Sequence, residues 1–554
     1  MKRSTVVLAL IALFFFITIL PSPAAADSSH VRIVRLSLIQ GDVRFAREFH
    51  DDPLTDTKAV WETAPLNLPI REGYVVATGN GRAEVEFENG AMAFMGANSV
   101  VEFYDLSLHD GGRISRLVLR QGSGIFYVNP AMGDYFSVTG GDFTVEANGR
   151  TTFRVDNFDD GSTVNVERGR VAVLHKDDST PLGKGQSLSV HVNDGGKQEI
   201  GRAADLDDFD HWVSGRIDSV VTATNNSAQY VNSPNYTAGF SDLYTYGSWY
   251  SVAGYGYGWR PFGVGLGWCP FDYGNFYFDQ GLGGWGFMGS APWGWLPYHY
   301  GGWTFAPAYG WVWLPTGFGA GTPLRYQPVT AVWVRSGTTL GLVPASPLDA
   351  HGKTAANLAQ GIYPVQGNTV GKSLVAASGT EKWSVVKQVP RETLAGASLT
   401  RSAAPTGVSR TIPTTVSVAR SVTATRQSSI VYDPTEHRFV NSNSAPNGVV
   451  ATASAVNSVR QVNEAGHPGV IPANAVNGSS AAHNTTVTSV SRAAVTPPRP
   501  AMTPAPARTG GSSGSSSGAW NSSVWGMPGS SAGTSTSRGS SSGSHPSSGG
   551  GRVH

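Results

Sequence analysis

Aromatic side chains between residues 230 and 345 are the part of this sequence whose residue types and spacing could support a chemical function. Ten of the fifteen tryptophans lie between Trp249 and Trp333, among many Tyr, Phe and Gly residues. Exposed Trp and Tyr rings suit the C–H-rich faces of sugars, and their N–H and O–H groups can bond hydroxyls. We predict a candidate ligand-binding surface made of Trp293, Trp295, Tyr298, His299, Tyr300, Trp303, Trp311 and Trp313. The alternative is that these rings form a core and an interface.

A degenerate repeat indicates the elements that must position these rings. The pattern Gly-Trp-x-Pro occurs at residues 258–261, 267–270 and 294–297. Residues two apart share one face of an extended strand, so Trp293 is predicted to pair with Trp295, and Trp311 with Trp313. Proline cannot donate to a central ladder, so each repeat marks a strand end or edge. The pattern predicts a small aromatic-rich β-meander domain over residues 225–345.

Other chemistry has little support in the sequence. It contains no H-E-x-x-H, Walker-type or G-x-S-x-G motif, so no enzyme activity and no cofactor are predicted. A wall-polymer hydrolase stays open as an alternative, because carboxylates that pair in space are invisible in a sequence. Cys269 is interpreted as a small apolar residue. The region also lacks the basic groove that single-stranded nucleic acid needs, so no specific nucleic-acid binding is predicted.

Residues 31–200 show the alternation of short, half-buried strands. The segment 83–88 alternates apolar and acidic residues, and it lies between Asn80-Gly81 and Asn89-Gly90, pairs that suit tight hairpin turns. Further strand candidates follow at a spacing of roughly ten residues, separated by Gly-containing turns. They are residues 117–119, 124–128, 143–146, 152–155, 164–166 and 171–174. We therefore predict an antiparallel β-sandwich or roll.

Several short motifs of this region resemble the FecR-type domain. They are residues 68–74 (LPIREGY), 78–85 (TGNGRAEV), 119–124 (LRQGSG), 164–171 (VNVERGRV) and 183–186 (GKGQ). The resemblance covers about residues 38–192, and it implies an extracytoplasmic β-domain of interaction type. In its namesake setting this domain is the periplasmic part of a transmembrane regulator. We do not expect that relay role here, because the chain shows neither the cytoplasmic segment nor the membrane helix that such a relay needs.

The aromatic region resembles a second bacterial domain, one that often follows a FecR-type domain in exported proteins. The resemblance spans roughly residues 225–345. It rests on residues 227–231 (SAQYV), 239–243 (GFSDL), 246–249 (YGSW) and 292–303 (PWGWLPYHYGGW). That domain has no assigned function. The resemblance therefore implies an architecture but no activity.

Residues 203–222 are predicted to form a short connecting helix. Leu206, Phe209, Val213, Ile217 and Val220 recur at helical spacing. Acidic residues near the helix start favour the helix dipole. Four of them, Asp205, Asp207, Asp208 and Asp210, together with His211, could suggest a metal site. The spacing of a calcium loop is absent, so a solvated helix face is preferred and no metal site is predicted.

The two ends of the chain predict export and a long tail. Lys2 and Arg3 precede an apolar run of 15 residues, 6–20, and Ala24-Ala25-Ala26 follows, which is typical of a signal peptide over residues 1–26. No transmembrane segment is predicted after cleavage. Residues 350–554 are predicted to be a disordered tail rich in Ser, Gly, Pro and Ala. From residue 351 onward there are 16 Lys/Arg and 5 Asp/Glu, so we expect this basic tail to attract anionic envelope polymers.

Two functional hypotheses follow for this exported protein, which would work in the periplasm, at the outer surface or after secretion. The first is a non-enzymatic interaction protein that binds cell-wall or extracellular polysaccharide through the aromatic domain. The alternative is a FecR-like signalling or envelope-assembly accessory that docks on a membrane protein, with a purely structural aromatic domain.

Overall fold

The structure is a computed structural model that describes residues 32–50, 52–231, 233, 236–279, 284–315, 325–349, 353–367, 369–371, 373–377, 381–394, 430–433 and 438–441. All of them belong to one unit of the chain, Met1–Ala475. The predicted signal peptide lies outside these residues, as does most of the predicted tail. Within the described ranges the chain is mainly β, with antiparallel sheets and three helices, which confirms the predicted fold class. None of these helices is both long and apolar enough to cross a membrane.

The predicted β domain is a sheet of fifteen strands in which all pairs but one are antiparallel. Its strands are β1 (Val34–Ala46), β2 (Glu62–Thr63), β3 (Pro69–Ile70), β4 (Val75–Phe87), β5 (Met92–Met95), β6 (Val100–His109), β7 (Gly112–Val128), β8 (Tyr135–Gly140), β9 (Phe143–Glu146), β10 (Thr151–Phe158), β11 (Gly161–Arg168), β12 (Arg170–His175), β13 (Asp178–Gly183), β14 (Gln186–His191) and β15 (Lys197–Arg202). Every predicted strand lies in one of them, except that the predicted strand 83–88 runs one residue past the end of β4.

Strand β7 joins the two halves of this domain because it pairs with different strands along its length. Its first half pairs with β6 and, in parallel, with β8, whereas its second half pairs with β5 and β10. The predicted strands 117–119 and 124–128 are therefore one strand. At Gly122 φ is +90°, a conformation that favours glycine. Leu119 before this point and Phe126 after it enter the same apolar core.

The two predicted turn pairs have different outcomes. Asn89-Gly90 forms the turn between β4 and β5, with Gly90 at a φ of +79°. Asn80-Gly81 instead lies inside β4, where the strand crosses β1, so the turn expected there is wrong. A Cβ atom on Gly81 would lie 2.3 Å from the carbonyl oxygen of Gln40. Glycine at this position thus allows β1 and β4 to approach each other closely.

Helix α1 (Asp208–Ala228) starts five residues later than predicted and continues six residues further. Its apolar stripe of Phe209, Val213, Ile217 and Val220 packs on β5 and β7, so the helix covers the β domain as well as connecting two regions. Leu206 precedes the helix and is 46 % exposed, in contrast to its predicted place on the stripe. The Asp207 carboxylate accepts from the N–H groups of Phe209 and Asp210 and fixes the helix start.

The aromatic domain consists of several small sheets and two short helices. Its elements are α2 (Phe240–Tyr246), β16 (Gly247–Val252), β17 (Gly256–Pro261), β18 (Gly274–Asp279), β19 (Gly284–Gly289), α3 (Leu296–His299), β20 (Gly302–Ala306), β21 (Gly310–Leu314), β22 (Ala331–Ser336) and β23 (Thr339–Pro344). One sheet has the order β16-β17-β21-β20, and β18 pairs with β19. Aromatic rings from all of these sheets meet in one core.

This domain extends beyond its predicted end at residue 345. Strands β24 (Tyr363–Gln366), β25 (Thr369–Val370) and β26 (Ser384–Val386) complete a sheet of order β25-β24-β23-β22-β26. Tyr363 and Leu394 are buried in the aromatic core. The predicted tail boundary at 350 is therefore corrected: β22 and β23 have open edges that later segments pair with. The runs that pair are too short to give a periodic apolar signal.

A last hairpin, β27 (Ile430–Asp433) and β28 (Arg438–Asn441), lies within the predicted tail. Its buried rings pack on the β domain. Most of the remaining residues of the predicted tail lie outside the described part of the chain.

Candidate functional site

All eight residues predicted to bind a ligand lie in the core of the aromatic domain. Their exposed fractions range from 0 to 7 %. They are Trp293, Trp295, Tyr298, His299, Tyr300, Trp303, Trp311 and Trp313. A stacking platform needs a ring face that is open to the ligand. The prediction of a binding surface at these positions is therefore corrected in favour of its alternative, in which the rings are core.

The indole N–H groups show why these rings are stable inside the domain. Trp295 Nε1 donates to Tyr236 Oη at 2.8 Å, and Trp303 Nε1 donates to Thr330 Oγ1 at 3.1 Å. Trp313 Nε1 donates to the carbonyl oxygen of Tyr300 at 2.7 Å. A buried donor costs little when it has such a partner. These side chains thus use their polar groups on the protein itself.

The predicted ring pairs have different outcomes. Trp311 and Trp313 share one face of β21, as expected. Trp293 and Trp295 precede α3 in a turn rather than a strand, so that predicted pair is wrong. The turn is closed by a hydrogen bond from Gly294 N to the carbonyl oxygen of Ala291.

Open ring area occurs instead at the edge formed by β16 and β17. Tyr257 is 58 % exposed. Its ring meets Tyr230 edge to face at a centroid distance of 5.3 Å, and Tyr230 stacks on Trp249 at 4.6 Å. Ser251 and Tyr257 are cross-strand partners, so their side chains share a face. Sequence reasoning did not select these rings, because the Gly-Tyr run that carries Tyr257 has no distinctive spacing.

The acidic side of β4 forms an interface that sequence reasoning also missed. Glu84, Glu86 and Glu88 alternate with apolar residues in a segment that was predicted to be half-buried, yet all three glutamates are buried. Each pairs with an arginine. The pairs are Glu84 with Arg216 of α1 at 2.6 Å, Glu86 with Arg35 of β1 at 2.6 Å, and Glu88 with Arg32 at 2.5 Å. Burial of three carboxylates on one strand face requires this compensation.

Arg35 is the centre of this interface. Its guanidinium donates to Glu86 and to Asn67 Oδ1, and it lies 2.7 Å from Asp242 of α2. Asn67 Nδ2 donates onward to the carbonyl oxygens of Gly289 and Ala291 at 3.0 and 2.9 Å. Side chains of the β domain thereby hold backbone and side-chain groups of the aromatic domain. The arrangement joins two folded regions through buried charge.

Burial also shifts the protonation of this network. Removal from water raises the pKa of Glu86 to about 7, although the nearby Arg35 opposes the shift. Burial likewise raises the pKa of Asp242. It would lower the pKa of Arg35, but the carboxylates of Asp242 and Glu86 raise it instead. The arginine therefore stays charged, while one of its carboxyl partners is close to its protonation point at neutral pH.

A second contact between separate segments lies on the β domain, where the hairpin β27–β28 fills an apolar groove. We define the groove by Ala46, Trp61, Val75, Ala77 and Val100. The hairpin inserts two rings. Tyr432 and Phe439 lie 6.0 and 5.3 Å from the ring of Trp61, and the Arg44 guanidinium lies 5.6 Å from the Tyr432 ring.

Comparison with known proteins assigns the two domains. Residues 74–172 match the FecR protein family, and residues 240–349 match a family of unknown function, DUF6600. The chain contains a FecR domain and a DUF6600 domain. The structural FecR domain extends beyond the matched residues on both sides, through β1 and up to β15. The DUF6600 domain includes every residue of the predicted aromatic surface.

Two crystal structures, each described as that of an anti-sigma factor from Parabacteroides distasonis, are similar to part of the chain. The first is 20 % identical with a TM-score of 0.22, and the match covers 25 % of this chain and 63 % of that one. The second is 17 % identical with a TM-score of 0.21, and it covers 28 % and 73 %, respectively. No curated protein matches the chain.

Three further features of the described residues concern sites where chemistry could take place. A cavity of about 330 Å³ in the FecR domain has Asp142 and Lys176 as the titratable side chains of its lining. Burial raises the pKa of the Cys269 thiol to about 11, so the reactive thiolate is disfavoured. Asp207 and Asp210 pair with Arg154 at 2.8 and 2.9 Å. In the described ranges, no group of three or more His, Cys, Asp or Glu side chains is arranged to hold a metal ion.

Proposed function

We propose that this protein is an exported, non-enzymatic envelope accessory whose FecR domain docks on another envelope protein. The match of residues 74–172 to the FecR family carries this proposal. Proteins of that family are membrane-associated regulators with an extracytoplasmic domain. The DUF6600 domain has a structural role in this proposal, because its aromatic residues fill its own core and its polar groups bind the FecR domain.

The buried network around Arg35 supports that division of labour. A flexible pair of domains would keep its charged groups in water, whereas here Arg35 and Glu86 are almost fully buried at the junction. Breaking such a pair is costly, so the network opposes movement of one domain against the other. A rigid neighbour lowers the entropy cost of presenting a docking surface to a partner.

The test is photo-crosslinking of the full chain in the cells that produce it. A photoreactive amino acid replaces Val60 or Tyr104 in the FecR domain, which are 71 and 59 % exposed. The matched control replaces Leu266 in the DUF6600 domain, which is 67 % exposed. We expect one defined envelope protein to be captured from a FecR position and not from position 266. Equal capture from all three positions, or none, contradicts the proposal.

Export is tested with the same cells. We expect the mature chain to begin at Asp27 and to be recovered outside the cytoplasm, as the predicted cleavage after Ala26 requires. A mature chain that retains Met1 and stays in the cytoplasmic fraction would contradict this part of the proposal.

Glycan binding is a second candidate function, supported by the rings that are open at the β16–β17 edge. Tyr257 presents an exposed ring on the same face as its cross-strand partner Ser251, and the half-buried rings of Tyr230 and Trp249 adjoin it. The test is a pull-down of the full chain on purified wall polysaccharide, with Tyr257→Ala as the variant and Trp311→Phe as a core control. Loss of binding with Tyr257→Ala alone would support this function, and equal binding by all three proteins would reject it.

A further inference from the structure

The apolar groove of the FecR domain lies on the second face of strands whose first face is core. Val76 of β4 and Val101 of β6 point into the main core. Their neighbours Val75, Ala77 and Val100 point the other way, into the groove. A continuous apolar run such as residues 75–77 is typical of a strand that is buried on both faces. In this protein the groove is closed by a segment that lies more than 300 residues further along the chain, the hairpin β27–β28.

The hairpin depends on the groove for its structure. It has two strands of four residues each. An isolated two-stranded hairpin is marginally stable at best in water. Tyr432 and Phe439 are direct cross-strand partners with ring centroids 5.4 Å apart, and both rings meet Trp61. The groove therefore recognises a pair of aromatic side chains presented on one face of a short β-hairpin.

The fit of this occupant is incomplete. Tyr432 Oη is buried and has no hydrogen-bond partner among the described residues. A hydroxyl that loses water without gaining a partner weakens the association. Phe439, which carries no hydroxyl, does not have this defect. The groove would thus bind a hairpin with two unsubstituted phenyl rings more tightly than it binds its own.

We propose that this groove is a docking site for an aromatic β-hairpin of a partner protein, and that β27–β28 is its intramolecular occupant. This inference rests on the proposed docking function of the FecR domain. It adds that the groove is the docking surface and that the hairpin regulates access to it. Partner binding then requires displacement of the hairpin. Because the hairpin is tethered to the domain, it competes at a high effective concentration. The partner can occupy the groove only when its own concentration and affinity outweigh that competition.

The first experiment measures whether the groove accepts a hairpin in trans. The probe is a fluorescent synthetic peptide of residues 428–443, and the readout is fluorescence anisotropy with the full chain. The variant Tyr432→Thr/Phe439→Thr removes both rings and keeps β-compatible residues. The matched control Leu266→Thr/Phe305→Thr removes two exposed apolar side chains from the DUF6600 domain. We expect the first variant to bind the peptide at least tenfold more tightly than the wild type, and the control to match the wild type.

Hydrogen exchange on the same proteins shows what the variant has lost. We expect the amides of residues 430–441 to lose protection while those of β4 and β6 keep it. Equal peptide binding by variant and wild type overturns the proposal. So does loss of protection in β4 and β6, because the hairpin would then be part of the domain core. Dimerisation of the variant would also overturn it, by making a second copy of this chain the occupant.

A milder variant tests the proposal in the opposite direction. Tyr432→Phe removes the unpartnered hydroxyl and should tighten the intramolecular contact. We expect it to bind the peptide more weakly than the wild type, by about threefold or more. Tighter binding of the peptide by this variant would contradict the argument from fit.

Crosslinking from position 60 separates this inference from the proposed function. Val60 adjoins Trp61 at the groove, so release of the hairpin should increase capture of the envelope protein from that position. Unchanged capture from position 60 in the released variant means that the FecR domain docks through another surface, and it overturns the groove assignment alone. Absence of capture from positions 60 and 104 of the chain with its own hairpin intact contradicts the proposed function itself.

Discussion

The FecR and DUF6600 domains of this protein solve the same problem, burial of a β-sheet face, with different side chains. Among the described residues, the main FecR core contains Val, Leu, Ile, Ala, Met and Phe but no tryptophan. The DUF6600 core contains nine tryptophans. Aliphatic side chains have no polar groups that need hydrogen-bond partners. The alternation of apolar and polar residues along a strand is therefore enough to direct them into the core. Indoles also need acceptors at defined positions, which gives the aromatic core a directional component.

The largest expected effect comes from removing one ring of the aromatic core. Trp303 is fully buried, and its ring lies 5.7 Å from Trp268 and 5.8 Å from Tyr298. Trp303→Ala should lower the free energy of unfolding by about 4 kcal/mol, because it leaves a large cavity. Leu119→Ala in the FecR core should cost about 3 kcal/mol. Urea denaturation gives the totals, and hydrogen exchange resolved by domain shows where each loss falls.

A third variant tests whether the indole hydrogen bonds contribute to the stability of the aromatic core. Trp303→Phe keeps a ring but leaves Thr330 Oγ1 without its indole donor, so it should cost about 1 to 2 kcal/mol. If Trp303→Phe were neutral, the hydrogen bond would contribute nothing and the contrast between the two cores would reduce to ring size.

The next effect lies where the two domains meet. Arg35→Met leaves Glu86 and Asp242 buried without their cation, and it should lower the free energy of unfolding by about 3 kcal/mol. Arg116→Met is the matched control, because Arg116 pairs with Asp105 at the surface and such pairs contribute about 0 to 1 kcal/mol. Chemical denaturation compares the two. Similar losses would show that the buried network does not hold the domains together.

The same contrast explains how much could be predicted from the sequence. In the FecR domain, alternation placed Phe143–Glu146 as a strand with its bounds correct. It failed at Glu84 and Glu86, because a strand's own pattern cannot show that a helix and a second domain cover its polar face. The arginines that compensate them, Arg35 and Arg216, are 51 and 132 residues away in sequence.

In the DUF6600 domain the sequence showed where the aromatic residues are, but not whether their rings face the core or the solvent. A tryptophan on a Gly-rich strand is equally compatible with a core and with a platform, because both use the same apolar face. The acceptors that settle the question for Trp295 and Trp303 are Tyr236 and Thr330. No spacing rule connects these pairs. Strand β24 was missed for a related reason. Its four residues are too few to show a strand pattern, and the segment is ordered by pairing with β23.

A smaller, pH-dependent effect is expected inside the aromatic core. His299 is fully buried, its Nδ1 lies 3.1 Å from the carbonyl oxygen of Gln327, and burial lowers its pKa from 6.5 to about 4. Between these values the unfolded chain binds a proton that the folded chain does not, so stability falls as the pH falls through this range. At pH 5 the loss relative to pH 8 should be about 2 kcal/mol, at 1.36 kcal/mol per pKa unit.

The variant His299→Asn isolates this contribution. Asparagine places a non-titrating N–H donor near the position of Nδ1, so the difference between variant and wild type should shrink from pH 8 to pH 5. Glu86 and Asp242 shift in the opposite direction and are common to both proteins, so they cancel in the comparison. A constant difference across this range would show that His299 does not titrate on unfolding.

The smallest effect tests how α1 is held on the FecR domain. Asp207 accepts two backbone N–H groups at the helix start and also pairs with Arg154, whereas Asp205 is exposed before the helix. Asp207→Ala should lower the free energy of unfolding by about 1 kcal/mol through loss of the cap, and Asp205→Ala should change it by a few tenths at most. Hydrogen exchange in the first turn of α1 should rise with Asp207→Ala while exchange in the DUF6600 core stays unchanged. If that core loosened as well, α1 would transmit strain between the domains, and the two cores could no longer be treated as independent.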